Sequence, residues 1–144
     1  MTRIDFYILE QIQAEGREHF ACRLVEKAYQ QGHQVYVNAA DEPQARRMDE
    51  LLWTFRAGSF IPHTCVDVEE DPESRVHVGY GSDPLHHDDV LVNLAAEVPL
   101  FFSRFHRVAE IVDPDKGRRE EARSRFRFYR DRGYDLKSHD IANG

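Results

Sequence analysis

The residues with the clearest chemical potential form one arginine-rich segment near the end of the chain. Seven arginines fall within fifteen residues of a chain whose formal net charge is −7: Arg118, Arg119, Arg123, Arg125, Arg127, Arg130 and Arg132. Four of them are spaced by four, four and three residues, which places Arg119, Arg123, Arg127 and Arg130 on one face of a helix. Guanidinium groups bind carboxylates and phosphates through paired hydrogen bonds. The segment therefore predicts a helical surface that binds an anion.

Aromatic residues interleave with these arginines. Ala122, Phe126 and Tyr129 repeat at four- and three-residue spacing on the adjacent stripe, which is predicted to pack against a sheet. Glu120 and Glu121 can pair with arginines of the same helix. Two anions fit a basic face beside aromatic rings, namely the carboxylates of an acidic peptide and the phosphates of a single-stranded nucleic acid.

A second cluster is apolar. Three aromatic residues and their neighbours occur within ten positions: Trp53, Phe55, Phe60, Ile61 and Pro62. Such a group at the end of a helix is typical either of packing under a sheet or of an exposed anchor for a partner protein. The residues alone leave both interpretations open.

Signatures of catalysis and of nucleotide binding are missing. The sequence has no phosphate-binding GxxxxGK loop, and no GxGxxG turn follows the first predicted strand. His86, His87, Asp88 and Asp89 are adjacent, so their side chains do not converge on one ion, and a solvated loop is predicted. His63 lacks a recognisable nucleophile and is predicted to be a hydrogen-bonded structural histidine. We therefore expect no catalytic residue, no metal and no cofactor.

The elements that must position these residues alternate between strands and helices. Strands are predicted at 4–9, 34–39, 75–80, 90–94 and 107–112. Helices are predicted at 17–32 and from Asp41 to about 55, with a short one at 99–104 and the arginine-rich helix ending at Gly133. This order indicates one α/β domain over 1–144, in which a mostly parallel sheet lies between two layers of helices. The outline is Rossmann-like without the glycine-rich loop, and 137–144 is predicted to be a polar tail.

Composition limits the remaining possibilities. A hydrophobic content of 41% and a charged content of 31% are typical of a soluble globular protein. No apolar run is long enough to span a membrane, and the N-terminus resembles a strand more than a signal peptide, so a cytoplasmic location is expected. Cys22 and Cys65 are predicted to be buried free thiols. Net acidity argues against nonspecific binding of duplex DNA by the whole surface.

Residues 41–63, with the sequence DEPQARRMDELLWTFRAGSFIPH, resemble the chi subunit family of the bacterial DNA polymerase III holoenzyme. The DE start, the DELLW centre and the SFIPH exit carry the resemblance, and Met48 is a departure because leucine is usual there. The opening FYIL and the terminal ARSRFRFYRDRGY match the family as well. The resemblance therefore covers nearly the whole chain in the same order.

The resemblance implies a noncatalytic accessory subunit of the replicative polymerase assembly. Proteins of this family join the psi subunit of the clamp loader to the acidic, apolar C-terminal tail of single-stranded DNA-binding protein, so contact with DNA is mainly indirect. The positions that match the tail site are Arg119, Arg123, Phe126, Arg127 and Arg130.

The resemblance also assigns a surface for the psi subunit, which in some members is shared with a helicase-like repair partner. The matching positions are Trp53, Phe60 and Pro62. Two alternatives remain beside this interpretation: a module that binds single-stranded nucleic acid directly, and, less favoured, a small α/β enzyme that holds a phosphate on the arginine-rich helix.

Overall fold

The computed structural model describes residues 1–11, 16–58, 60–66 and 68–142. Six strands form one sheet: β1 (Arg3–Leu9), β2 (Val35–Ala39), β3 (Val76–Tyr80), β4 (Val90–Asn93), β5 (Arg107–Val112) and β6 (Asp135–Ile141). The helices are α1 (Gly16–Gln30), α2 (Glu42–Thr54) and α3 (Lys116–Asp131), with a short 3₁₀ helix at Phe102–Arg104. The strand order is β3-β2-β4-β5-β1-β6, and every pairing of named strands is parallel.

The central strands carry mostly apolar residues on both faces, which is typical of a parallel sheet. Every residue of β2 and β4 is buried, as expected for strands that are covered by helices from two sides. One face, which includes Val37 and Val92, packs against α1 and α2. The opposite face, which includes Phe6 and Leu91, packs against α3 and the 3₁₀ helix. The predicted three-layer α/β architecture is confirmed.

Two side chains at the start of α2 fix where this helix begins. The Asp41 carboxylate accepts a hydrogen bond from the backbone N–H of Gln44 at 2.9 Å, and the Gln44 side chain accepts one from the N–H of Ala40 at 2.7 Å. This reciprocal arrangement satisfies the Gln44 N–H, which the helix leaves unpaired, and the N–H of Ala40 just before the helix. Pro43 fits in the first turn because it has no N–H to satisfy. The predicted start of the helix at Asp41 is confirmed.

The limits of α3 are set in a comparable way. Asp115 caps the first turn by accepting from the N–H of Arg118 at 3.0 Å. Gly133 adopts a φ of 80°, a left-handed conformation that ends helices and that side chains with a Cβ disfavour. The chain then turns back along the sheet into β6, so the arginine-rich helix is held between a capped start and an edge strand.

The sequence-based prediction that 107–112 is the last strand is wrong. Residues 135–141 form β6, which pairs with β1 along its whole length, and most of the predicted polar tail therefore belongs to the sheet. An edge strand exposes alternate side chains and one row of backbone groups, so polar residues are tolerated there. The strand therefore contains no apolar run that would indicate it in the sequence.

The core settles one further expectation. Cys22 and Cys65 are both buried, and neither forms a disulfide within the described residues, as predicted. In the part of the chain that the structure describes, no helix has the length and apolar character required to cross a bilayer.

Candidate binding surfaces on the second and third helices

Four arginines of α3 form one solvent-exposed surface, which we call the arginine face: Arg119, Arg123, Arg127 and Arg130. Arg127 donates only to the Ser124 hydroxyl at 3.3 Å, and Arg130 pairs with the exposed Asp131. Within the described residues, no side chain forms a hydrogen bond or ion pair with Arg119 or Arg123. Their guanidinium groups are therefore available to a ligand.

Phe126 forms an apolar border to the arginine face. At 3.6 residues per turn, Phe126 lies within about 60° of Arg119, Arg123 and Arg130 around the helix axis. Its half-buried ring packs edge-on against Phe6 at a centroid distance of 5.3 Å. A ligand with an apolar end and a carboxylate would contact this ring and the arginines together.

Arg125 faces inward and anchors α3 to the sheet. It is 5% exposed, its Nε donates to Glu110 Oε1 at 2.8 Å, and its Nη1 donates to the carbonyl of Ala96 at 2.9 Å. The Tyr129 hydroxyl and the Asn93 amide donate to the other oxygen of Glu110, at 2.7 and 3.0 Å. The buried carboxylate thus receives three hydrogen bonds, as a buried charge requires.

Glu120 and Glu121 were predicted to pair with arginines of their own helix. Arg125 instead pairs with Glu110 on β5. Burial raises the pKa of Glu110, while the Arg125 charge and the donated hydrogen bonds act in the opposite direction. Burial and the neighbouring Glu110 also raise the pKa of Tyr129, which keeps its hydroxyl protonated as a donor. One signal was available in the sequence: Glu110 is a single acidic residue among the apolar residues of the strand RVAEIV.

Two other arginines of the segment also serve the fold. Arg118 binds both oxygens of Asp113, at 3.0 and 2.7 Å. Burial alone would raise the pKa of Asp113. The hydrogen bonds from Arg118 and its charge outweigh this effect and hold the pKa below its usual value. Arg132 lies 3.5 Å from the ring centroid of Phe128. Arg118, Arg125 and Arg132 therefore each contact groups of the fold, whereas the four exposed arginines of the arginine face line one side of α3.

The second surface lies at the end of α2 and in the loop after it, and we call it the aromatic patch: Trp53, Phe60 and Pro62. All three are exposed, Trp53 by 42% and Phe60 by 74%, and the two rings are 5.4 Å apart between centroids. Packing of Trp53 and Phe60 in the core, which the sequence left open, is therefore wrong. Ile61 is the neighbour that turns inward, at 2% exposure.

His63 holds Trp53 of the aromatic patch in place. Its side chain is buried, with Nε2 2.8 Å from Asp49 Oδ1 on α2 and Nδ1 2.8 Å from the carbonyl of Ile61. Its ring also contacts that of Trp53 at a centroid distance of 4.2 Å. The prediction of a hydrogen-bonded structural histidine is confirmed, and its role is to hold the loop against the helix.

The loop at 86–89 is less solvated than predicted. His87 is 3% exposed, with Nδ1 2.6 Å from Glu70 Oε2 and Nε2 2.7 Å from the carbonyl of Ser74. Burial would raise the pKa of Glu70, but hydrogen bonds from His87 and from three backbone N–H groups lower it to about 2. Across the described residues, no three histidine, cysteine or carboxylate side chains are grouped so as to hold a metal ion. His87 therefore ties two loops together.

These features define a class: a Rossmann-like parallel α/β domain whose candidate surfaces lie on helices and a loop. The crystal structure of T4 UvsW has the same fold over 98% of this chain, with a TM-score of 0.69 and 10% sequence identity, and this chain spans 42% of that one. At this identity the likeness describes the fold alone.

The family is shown by sequence. Residues 1–137 match the model of the family described as DNA polymerase III chi subunit, HolC, and the chain belongs to this family. It is 48% identical to the DNA polymerase III subunit chi of Pseudomonas aeruginosa, over 98% of each chain. The corresponding proteins of Haemophilus influenzae and Escherichia coli are 28% and 27% identical over more than nine-tenths of each chain. The resemblance seen in 41–63 is thereby confirmed.

Proposed function

We propose that this chain is a noncatalytic bridge within the DNA polymerase III holoenzyme. The arginine face would bind the acidic C-terminal tail of single-stranded DNA-binding protein, and the aromatic patch would bind the psi subunit of the clamp loader. The protein would work in the cytoplasm during DNA replication and would reach DNA mainly through the tail-bearing protein. Membership of the chi family and the geometry of the two surfaces support this proposal.

The arginine face suits an acidic peptide that ends in an apolar residue. Arg119 and Arg123 are exposed without partners among the described residues, so their binding to carboxylates breaks no existing ion pair. Arginine can hold a terminal carboxylate through two parallel hydrogen bonds, and the half-buried Phe126 offers an apolar surface for the last side chain. Arg123 and Phe126 are three residues apart, so a charged and an apolar contact are available within one turn of α3.

The aromatic patch suits an apolar partner surface. Exposed Trp and Phe rings that are held in place by neighbours lose little conformational freedom on binding, which is why such residues dominate binding energy at interfaces. The His63 contacts with Asp49 and Ile61 supply that support for Trp53. In some members of the family, a helicase-like repair partner would compete for this patch.

Separation of the two surfaces is the observation that carries the bridging proposal. α2 covers one face of the sheet together with α1, and α3 covers the opposite face. Two partners can therefore occupy the molecule at once without colliding at a shared site. A bridge requires this geometry, whereas a single combined site would make the partners compete.

Replacement of Arg123 by alanine tests the tail site. We expect Arg123→Ala to weaken binding of a peptide with the tail sequence by about 1.5–3 kcal/mol, the range for a hydrogen bond to a charged group. Isothermal titration calorimetry measures this effect. Arg47→Ala is the matched control because Arg47 is an exposed arginine on α2, away from the arginine face. Equal losses for both variants, or unchanged affinity for Arg123→Ala, would remove Arg123 from the site.

Direct binding of a single strand by α3 is less favoured by the structure. Bases stack on accessible ring faces, but Tyr129 is fully buried, and Phe126 and Phe128 are half-buried among neighbouring aromatic rings. Only the charges of the arginine face would then hold the strand. Titration of α3 variants with single-stranded DNA, in the absence of its binding protein, distinguishes this alternative.

A further inference from the structure

A groove of about 960 Å³ lies on the side of the sheet opposite α3. Its floor is formed by β4, β5, β1 and the end of β6, and one wall is formed by α1. α1 packs over β2, β4 and β5, which leaves the neighbouring surface of β1 and β6 open beside it. The groove is distinct from both the arginine face and the aromatic patch.

A buried carboxylate organises the floor of the groove. Asp5 is fully buried, and its Oδ2 lies 3.2 Å from the Nε of both Arg3 and Arg107, while its Oδ1 lies 2.9 Å from His139 Nε2. Arg3 and Arg107 are each more than one-third exposed and line the groove. One carboxylate cannot neutralise two guanidinium groups, so the floor keeps a positive charge.

Aromatic rings lie next to this charge. The rings of Tyr7 and His139 are stacked, with centroids 4.9 Å apart and an angle of 17° between planes, and the His139 side chain is 40% exposed. Phe20 and Phe55 extend the apolar lining on the α1 side. The groove therefore combines a flat ring pair with fixed cationic groups on one surface.

The balance of charge in the groove is opposite to that of the protein. Among the described residues that line it, five are arginine or lysine and one is glutamate, whereas the whole chain carries −7. Lys27 adds to the cationic wall, and Arg56 pairs with the glutamate, Glu26. A local positive groove on an acidic protein concentrates an anionic ligand there and disfavours it elsewhere.

We propose that this groove binds a segment of single-stranded nucleic acid. Its phosphates would contact Arg3, Arg107 and Lys27, and a base would stack on the exposed ring of the Tyr7–His139 pair. A cationic track beside aromatic platforms is the arrangement by which proteins hold single strands without reading their sequence. An acidic peptide would satisfy the arginines but would leave the stacked rings without a role. The inference goes beyond the bridging function, which does not depend on it.

Fluorescence anisotropy with labelled oligothymidine and the full chain tests the inference. We expect salt-sensitive binding by the unaltered chain and a loss of at least about fivefold in affinity for Lys27→Glu, because each phosphate contact releases counterions. Arg47→Glu is the matched control: it makes the same change in net charge on an exposed helix position outside the groove, and should change affinity by less than about twofold. Absence of binding, or equal losses in the two variants, would overturn the proposal.

A second set of measurements identifies where on the protein the oligonucleotide binds. Photo-cross-linking with bromodeoxyuridine should label peptides of β1 and β6, which carry Tyr7 and His139. Arg107→Gln, which retains a side-chain hydrogen-bond donor, should weaken binding, whereas Arg123→Glu should leave it within about twofold. Cross-links on α3, loss of binding in Arg123→Glu, or displacement of the oligonucleotide from the groove by the acidic tail peptide would contradict the assignment.

Discussion

The arginine face and the aromatic patch differ in how the fold holds them. The arginine face projects long, mobile side chains from a helix whose opposite side is fixed by a buried ionic network at Glu110 and Arg125. In the aromatic patch, the Trp53 ring projects from the packed helix α2 and is supported directly by the buried His63 side chain. The first surface should act through charge and the second through apolar contact, and each of these properties can be changed separately.

The largest expected effect comes from removing the anchor of the arginine face. Arg125→Ala leaves the carboxylate of Glu110 buried without its cationic partner, which should lower the free energy of unfolding by about 3–5 kcal/mol. Arg123→Ala, on the exposed side of the same helix, should change it by less than about 0.5 kcal/mol. Chemical denaturation of both variants measures the difference.

The origin of that loss can be checked with a double variant. Adding Glu110→Gln to Arg125→Ala removes the uncompensated charge and should recover part of the stability. Equal stability of Arg125→Ala and Arg123→Ala would show that the network does not anchor α3, and the contrast between the two sides of the helix would then fail.

The next effect concerns the aromatic patch. Trp53→Ala should weaken association with the psi subunit by about 2 kcal/mol or more, the scale for a central aromatic residue of an interface. Binding of the acidic tail peptide should remain unchanged because the arginine face lies on the other side of the sheet. Pull-down with the psi subunit and calorimetry with the peptide report the two results. A loss of tail binding in Trp53→Ala would mean that the two surfaces are not independent.

Salt should change the affinities of the two surfaces to different extents, and this difference should be smaller than the effects above. Between low and physiological ionic strength, where the Debye length is about 8 Å, affinity for the tail peptide should fall by about three- to tenfold, because the arginine face is exposed to solvent. Association with the psi subunit should change by less than about twofold, because apolar contacts are not screened. Parallel titrations at two salt concentrations provide the test, and equal salt dependence would contradict the assignment of charge to one surface and apolar contact to the other.

Periodicity predicted the elements whose side chains follow one clear pattern. The strands β2 and β4 consist mostly of apolar residues, α2 has a capping aspartate with proline in its first turn, and α3 shows its two stripes directly in the sequence. The strand β6 was missed because its position at the sheet edge permits the polar residues DLKSHDI. Its recognition depends on pairing with β1, a contact between distant parts of the chain that local patterns do not encode.

The candidate surfaces were predicted unevenly for a similar reason. Spacing was sufficient to place Arg119, Arg123, Arg127 and Arg130 on one face, but the inward role of Arg125 depends on Glu110, fifteen positions away. Exposure of Trp53 was undecidable from composition, since aromatic residues at a helix end suit a core equally well. The groove could not be predicted from the sequence because only the order of β5, β1 and β6 in the sheet brings Arg3, Arg107 and His139 together.

The central claim is that one chain joins two partners through separate surfaces, and surface plasmon resonance tests it directly. Single-stranded DNA coated with its binding protein is immobilised, this chain is added, and the psi subunit is injected last. We predict that psi is captured through the unaltered chain, that Arg123→Ala greatly reduces retention of both proteins, and that Trp53→Ala retains the chain but not psi. Capture of psi through Arg123→Ala at the unaltered level, or loss of the chain itself in Trp53→Ala, would contradict the account.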